Sequence, residues 1–444
     1  MSFSMSAFRD SSSLRIAMIL YGSRGDIQPG ICLALELQRR GHHVTLLAPP
    51  NFVELANKAG VVTVRPVGLD AHTAWTSDAA TAAQQSRNPL SRWRFALDTV
   101  RGGFAAFDDD LVGAFLGSAA SVGDVDTIVV APLCQDRGLA LAERLGAGLV
   151  VLRYGPMSEN GMMGAIPGLT DSLSPQWKRR SWRMADRITW TATGWNENRF
   201  RRRLGLPRAR APLPRRLSSA GVPQIQAYDD ALIPGLAEEW GDAKPVVGFF
   251  DLPTSRRRSI GEIDSHETEL GRWLATGTPP LFITFGSMPL PDHDKVVATV
   301  RAAARTAGLR CLVAGREHRG VDPDDDTVFV SGPLDHASVL PKCAAALHHG
   351  GAGTTAATLR AGLPTFVCPI TADQPFWGHR VQTLGLGCSV RLSALTRDAL
   401  TAGLRTLMSA PVRAAARTVA ERMVESDKAV AVAADIIETS GRPA

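Results

Sequence analysis

The stretch LRIAMILYGSRGDIQPGICLALELQRRGHHVTLLA, Leu14–Ala48, decides how the rest of the chain is read. Its first eight residues, Leu14–Tyr21, are apolar apart from Arg15, as in a parallel strand buried on both faces. A loop, Gly22–Gln28, follows at once, and Pro29 suits the first position of a helix. Ile31, Ala34, Leu35 and Gln38 then recur at helical spacing until Gly41 ends the helix before a second apolar strand, His43–Ala48. This is one β-α-β unit. The pattern continues with a helix over Asn51–Ala59, a strand over Val61–Val67, a strand over Asp126–Ala131, a helix over Arg137–Leu145 and a strand over Leu149–Arg153. Such alternation predicts a doubly wound parallel sheet.

A second series starts near residue 265. Strands are expected at Leu281–Phe285, Arg310–Ala314, Val328–Val330, Ala344–Leu347 and Thr365–Pro369, with helices at Asp292–Thr306 and Thr354–Ala361. The chain is therefore α/β with two Rossmann-like lobes, whose strand ends are expected to face one another across a cleft. Asp251–Gly261 (DLPTSRRRSIG) has the composition of an exposed linker, which puts the boundary near 240–262. Segments of about 70–122 and 154–220 read as insertions over the cleft.

The bulk properties agree with two ordinary folded lobes. In 444 residues, 45% are apolar and 21% charged, which excludes a collagenous, disordered or membrane-embedded chain. The net charge of +6 suits anionic ligands without demanding nucleic acid. No run reaches the roughly 18 apolar residues of a membrane span, and no signal peptide is read at the N-terminus, so a cytoplasmic protein is expected. Cys32, Cys134, Cys311, Cys343, Cys368 and Cys388 form no CxxC pair and read as small buried apolar residues.

Three segments carry candidate chemistry. His348-His349-Gly350-Gly351-Ala352-Gly353-Thr354-Thr355 follows an apolar strand and opens a helix, so its backbone N–H groups, the helix dipole and the Thr354 hydroxyl suit a phosphate. It lacks the lysine of a Walker loop and the spacing of the dinucleotide fingerprint. Asp373 and Gln374 lie at the end of the next strand, where a carboxylate and an amide can bind vicinal hydroxyls, or can simply cap the following helix. Gly22-Ser23-Arg24-Gly25-Asp26 ends the first strand. Asp26 there is either a helix cap or a carboxylate base for a hydroxyl proton.

HHGGAGTTAATLRAGLPTFVCPITADQPFWGHRV, His348–Val381, resembles the donor signature of family 1 glycosyltransferases of GT-B fold. Gly22–Phe52 is similar to the subgroup of sterol glucosyltransferases, glycopeptide-antibiotic glycosyltransferases and actinobacterial glycolipid rhamnosyltransferases. The resemblance implies that His349, Gly351, Gly353 and Thr354 hold the donor diphosphate, that Asp373 and Gln374 bind the sugar, and that Ser287 and Arg24 lie near the phosphates. It makes Asp26 the catalytic base of an inverting transfer. It further implies an acceptor-binding domain over 1–250, a donor-binding domain over 251–425, and a C-terminal helix, 426–444, packing back on the first domain. No tryptophan occurs in Ser331–Pro341, where many relatives stack one on uracil, so UDP- and dTDP-sugars both fit.

The expected donor is thus a UDP- or dTDP-hexose or deoxyhexose, the acceptor a hydrophobic hydroxylated molecule, with no metal and no cofactor. A catalytically silent sugar-nucleotide-binding subunit is the alternative, and an epimerase of similar architecture a weaker one. Between Lys178 and Arg216 thirteen basic and two acidic residues give a local charge of +11, interleaved with Trp177, Trp182, Trp190 and Trp195. The segment suits either contact with an anionic membrane over 177–216 or a solvated helix whose tryptophans pack inward.

Overall fold

The computed structural model describes residues 13–70, 104–117, 122–166, 168–265, 269–286, 292–315, 320–322, 325–371 and 373–440. They fall into two compact units. One comprises 1–152, 189–224 and 430–444, the other 153–188 and 225–429, within those described bounds.

The first sheet contains β1 (Arg15–Ile19), β2 (His43–Ala48), β3 (Thr63–Pro66), β4 (Thr127–Val130), β5 (Gly148–Arg153) and β6 (Gln224–Gln226) in the order β3-β2-β1-β4-β5-β6. The first five pair in parallel. Ala17, Met18, Ile19 and all four residues of β4 are buried, as the continuous apolar runs require, and each large apolar side chain so removed from water contributes about 1.5–3 kcal/mol. Arg15 binds Asp126 through Nε and Nη2 at 3.1 and 2.8 Å, tying the start of β1 to that of β4. Helices α1 (Arg24–Arg39), α2 (Pro50–Ala59) and α3 (Gln135–Leu145) connect the strands.

Helix α1 begins five residues before Pro29, which corrects the expected loop over Gly22–Gln28. The physical reason is local. Ser23 is the N-cap, and its backbone N–H and Oγ both donate to Oδ2 of Asp26, at 2.8 and 2.9 Å. This closes the helix terminus early. Pro29 then removes only the bond to the carbonyl of Gly25, which is exposed to water.

The long α4 (Pro175–Arg203) occupies much of the segment read as an insertion. The second sheet is built from β7 (Leu281–Thr284), β8 (Cys311–Ala314), β9 (Gly320–Asp322), β10 (Asp325–Ser331), β11 (Ala345–His348), β12 (Thr365–Val367) and β13 (Gly387–Ser389), in the order β13-β12-β11-β7-β8-β10-β9. All its pairings are parallel except β9 with β10. Leaving out the β9 edge, this is the strand order of the first sheet repeated. The strand order of each sheet therefore reverses at its centre, between β1 and β4 and between β7 and β11, and the C-terminal ends of those strands are where such sheets bind ligands. Helices α5 (Thr254–Ser259), α6 (His293–Thr306), α7 (Ala352–Arg360), α8 (Gln374–Thr383) and α9 (Ser426–Ser440) follow along the chain.

Asp251–Gly261 is not a free linker. Arg257 of α5 is buried and bound to Asp251 and to Glu262, the latter at 2.6 Å, with Asp335 at 3.5 Å. An arginine is buried this way only when carboxylates surround it, and here they pin the segment onto its own unit. In the first unit, Arg40 of the β1–β2 connection bonds Glu438 of α9 at 2.9 Å. His42 accepts the Leu14 N–H on Nδ1, which leaves Nε2–H to donate to Glu438 at 2.8 Å.

Candidate functional site

Strand β11 is fully buried and ends at His348, whose ring shapes the turn that follows. Its Nδ1 accepts the Gly350 N–H at 2.9 Å, so the proton sits on Nε2, which faces Thr358 Oγ1 at 3.4 Å. Burial, together with neighbouring His349 and His336, holds His348 well below the ordinary histidine range. Gly350 has φ of +91°, and a Cβ there would lie 2.6 Å from Val367 Cγ1 and 3.1 Å from the Gln374 carbonyl oxygen. That close approach brings the two motifs, His348–Thr354 and Asp373–Gln374, side by side at the ends of β11 and β12.

Helix α7 starts at Ala352, two residues earlier than its expected start at Thr354. Gly351 is its N-cap, no side chain caps it, and its first turn carries no acid. The N–H groups of Ala352, Gly353 and Thr354 have no carbonyl four residues back within the helix, and the dipole adds positive potential at the same place. The first N–H with a helical partner is that of Thr355, bonded to the Gly351 carbonyl at 2.9 Å.

Two buried polar atoms beside this terminus lack a hydrogen-bond partner among the described residues: Nδ1 of His349 and Oγ1 of Thr355. Such atoms cost about 1–3 kcal/mol each unless something binds them. Burial pushes the His349 pKa down to about 4, opposed in part by the Thr284 carbonyl. The ring lies between two glycines. A Cβ on Gly286, at φ +62° after β7, would stand 3.0 Å from His349 Cε1, and one on Gly351 would stand 2.6 Å from Nε2. Gly353, by contrast, faces open space.

At the start of α8, Asp373 occupies the N-cap position, but its carboxylate turns forward, and Oδ2 accepts the Trp377 indole N–H at 2.9 Å. Trp377 is fully buried and packs against Phe376, Phe249 and Tyr228 at centroid distances of 4.9, 5.6 and 6.2 Å. Burial raises the Asp373 pKa and the indole bond opposes the rise. Gln374 Oε1 accepts from the N–H groups of Ile370 and Thr371 at 2.8 and 3.1 Å, so the end of its amide left for a ligand is the NH₂ donor.

In the first unit, Asp26 lies in the opening turn of α1 with Oδ2 held by Ser23, and the Nε of Arg24 donates to Gln28 at 2.9 Å. Gly22, at φ +130°, leaves the room that the Asp26 carboxylate occupies; a Cβ there would fall on Oδ2. Thus His349, Gly351, Gly353, Thr354, Asp373 and Gln374 are brought together in the second unit, while Arg24 and Asp26 are neighbours in the first. Ser287 lies outside the described residues. Sequence reasoning missed Trp377 and Gly286. The spacing Asp373-x₃-Trp377, one helical turn, was the available signal for the first; nothing local marks the second, since its partner lies 63 residues away at His349.

Two Rossmann-like domains with an anion-ready helix start in the second define a GT-B glycosyltransferase, and the comparisons agree. Residues 16–122 match the glycosyltransferase family 28 N-terminal domain, and residues 319–439 the erythromycin biosynthesis protein CIII-like C-terminal domain. An uncharacterised glycosyltransferase of Mycobacterium tuberculosis is 35% identical, covering 97% of this chain and 100% of its own. The O-mycaminosyltylonolide 6-deoxyallosyltransferase of Streptomyces fradiae is 31% identical over 96% of this chain and 97% of its own. Sterol 3-beta-glucosyltransferase of Arabidopsis thaliana is 27% identical over 97% of this chain and 68% of its own. Among solved structures, the glycotransferase of kitacinnamycin superposes with a TM-score of 0.66 at 18% identity, covering 96% and 98% of the two chains. A Streptomyces glycosyltransferase complexed with thymidine diphosphate gives 0.55 at 18% identity, covering 96% and 99%. The chain belongs to this family of glycosyltransferases.

Proposed function

We propose that the protein is an inverting transferase that moves a hexose or deoxyhexose from a UDP- or dTDP-sugar to a hydroxyl of a hydrophobic small molecule. The observation that carries the donor half is the uncapped start of α7 with Nδ1 of His349, which has no partner among the described residues, beside it. A diphosphate accepts from the free N–H groups of that start and from Nδ1–H in the tautomer that protonates it, and it is the group on which charge builds as the sugar leaves. Stabilising that charge is worth on the order of 3 kcal/mol per well-placed donor. Asp373 and the Gln374 NH₂ then supply an acceptor and a donor for sugar hydroxyls.

On this reading Asp26 takes the proton of the acceptor hydroxyl as its oxygen attacks the anomeric carbon. The bond from that carbon to the diphosphate oxygen breaks, and the nucleoside diphosphate leaves with the bonding pair, inverting the centre. Protein groups neutralise the leaving group, so activity is expected to survive EDTA. Relatives named for O-mycaminosyltylonolide and for sterols as acceptors support a hydrophobic acceptor.

The test is nucleotide release from a panel of UDP- and dTDP-sugars with lipid, sterol and polyketide acceptors. Wild type is expected to turn over, and Asp26→Asn to lose at least about 1000-fold in turnover while binding donor within two-fold of wild type. Unimpaired turnover by Asp26→Asn removes it as the base. Tight donor binding with no turnover on any acceptor assigns a catalytically silent sugar-nucleotide-binding subunit instead.

A further inference from the structure

Helix α4 is amphipathic in an unusual sense, because its outward face is apolar. Trp177, Met184, Ile188 and Trp195 are 56%, 64%, 59% and 43% exposed. Their spacing of 7, 4 and 7 residues places them within about 20° of one line along the helix. The inward face is polar as well as apolar: Trp182 is buried and donates its indole N–H to the Met163 carbonyl at 3.0 Å, and Glu197 is buried against Arg216. The four tryptophans of this segment therefore divide. Trp177 and Trp195 point outward, Trp182 is in the interior, and Trp190 is half-buried with the Arg216 guanidinium 5.6 Å from its ring.

Arginines border the stripe. Arg180 and Arg187 are exposed one turn and nearly three turns along from Trp177, on the same side of it, and the Arg180 guanidinium lies 4.7 Å over the Trp177 ring. Arg199 and Arg202 are exposed beyond Trp195. The acids of this helix, Asp186 and Glu197, are half-buried and buried on the far side. On the other flank, Lys178 Nζ bonds the Met162 carbonyl and the Ala165 N–H bonds Ser181 Oγ, at 3.2 and 3.0 Å. These hold a loop beside the helix from which Ile166 and Leu169 are exposed at 54% and 71%.

We propose that this face docks the protein on an anionic lipid surface. Tryptophans with aliphatic side chains insert at the headgroup boundary, and a row of arginines beside them meets lipid phosphates. A helix that merely faced water would carry polar groups on this line. A second copy of the chain fits less well, because an isologous pairing would bring the like-charged arginine rows of both copies together. The inference stands apart from the transferase reading, since lipid binding and sugar transfer are measured separately.

Cosedimentation with phosphatidylcholine vesicles, with and without 30% phosphatidylglycerol, tests it. Wild type is expected to partition at least ten-fold better onto the anionic vesicles, and less so as salt rises. Trp177→Ser/Met184→Ser/Ile188→Ser is expected to lose at least ten-fold, and Arg180→Gln/Arg187→Gln about five-fold per arginine. Because these side chains are exposed, thermal midpoints should stay at the wild-type value. As a second readout, tryptophan fluorescence should shift to the blue on the anionic vesicles and should not do so in Trp177→Phe/Trp195→Phe. Equal sedimentation without phosphatidylglycerol, or by the triple variant, overturns the proposal. So does a vesicle-free dimer that the triple variant abolishes, which assigns the face to a second copy. A loss of transfer to a water-soluble acceptor without vesicles overturns it too, and assigns the stripe to the acceptor pocket.

Discussion

The turns after β1 and after β11 have the same build, a buried central strand, a glycine at positive φ and a helix, yet their helix starts are finished in opposite ways. At α1 the chain supplies its own anion: Asp26 sits in the first turn and takes two hydrogen bonds from Ser23, with Gly22 clearing the space. At α7 there is no acid in the first turn and no side-chain cap, and His349 and Thr355 each keep a buried polar atom without a partner among the described residues. The first terminus is electrostatically complete. The second is left incomplete, and on the proposed reading it is this difference, more than the glycines the two share, that marks the donor side.

The sharpest way to break the contrast is to give α7 the acid that α1 has. Gly353→Asp fits, because a Cβ there meets nothing within 4 Å. It should leave stability unchanged or raise it by about 0.5–1 kcal/mol through the helix dipole. Donor binding, measured by calorimetry with UDP and dTDP, should weaken at least about 100-fold by loss of the anion site and repulsion. Unchanged donor affinity would remove the α7 terminus as the diphosphate cradle.

A smaller effect follows from the buried neutral ring of His349. Its folded pKa of about 4 lies below the ordinary histidine value, so as pH falls the unfolded chain takes up the proton first. Stability is therefore flat above about pH 6.5 and declines from there toward pH 4. Between pH 7.5 and 5 this one group should cost about 2 kcal/mol. Urea midpoints of wild type and His349→Gln across that range read the difference; parallel curves would contradict the burial. The smallest effect is at α1. Ser23→Ala removes one of the two bonds to Asp26 and should cost about 1 kcal/mol of stability in the same assay, with turnover reduced less than ten-fold.

Much of this was legible locally. Buried parallel strands announce themselves as unbroken apolar runs, so β1, β2, β4, β5, β7 and β8 stand within a residue or two of their expected bounds, and the doubly wound class follows from their alternation. The start of α1 was misplaced because Pro29 looked like a first residue, while the reciprocal Ser23–Asp26 closure competes with it and prevails. Asp251–Gly261 was misread because an arginine-rich, proline-bearing segment is usually solvated; Asp335, more than 70 residues away, is one of the carboxylates that bury Arg257.

The sequence by itself determined the alternation of the two lobes, the glycine-rich helix start after β11, and the residues Asp26, Asp373 and Gln374 as candidates, because each is written in neighbours a few positions apart, while His349 came from the family resemblance. Only the tertiary structure decided what their atoms are free to do. It commits the Gln374 carbonyl to the Ile370–Thr371 turn and one Asp373 oxygen to Trp377, leaves the His349 Nδ1 unmatched among the described residues, and turns Trp177 outward while burying Trp182. Hydrogen-bond satisfaction and burial are set by groups distant in the chain, and periodicity within one segment carries no record of them.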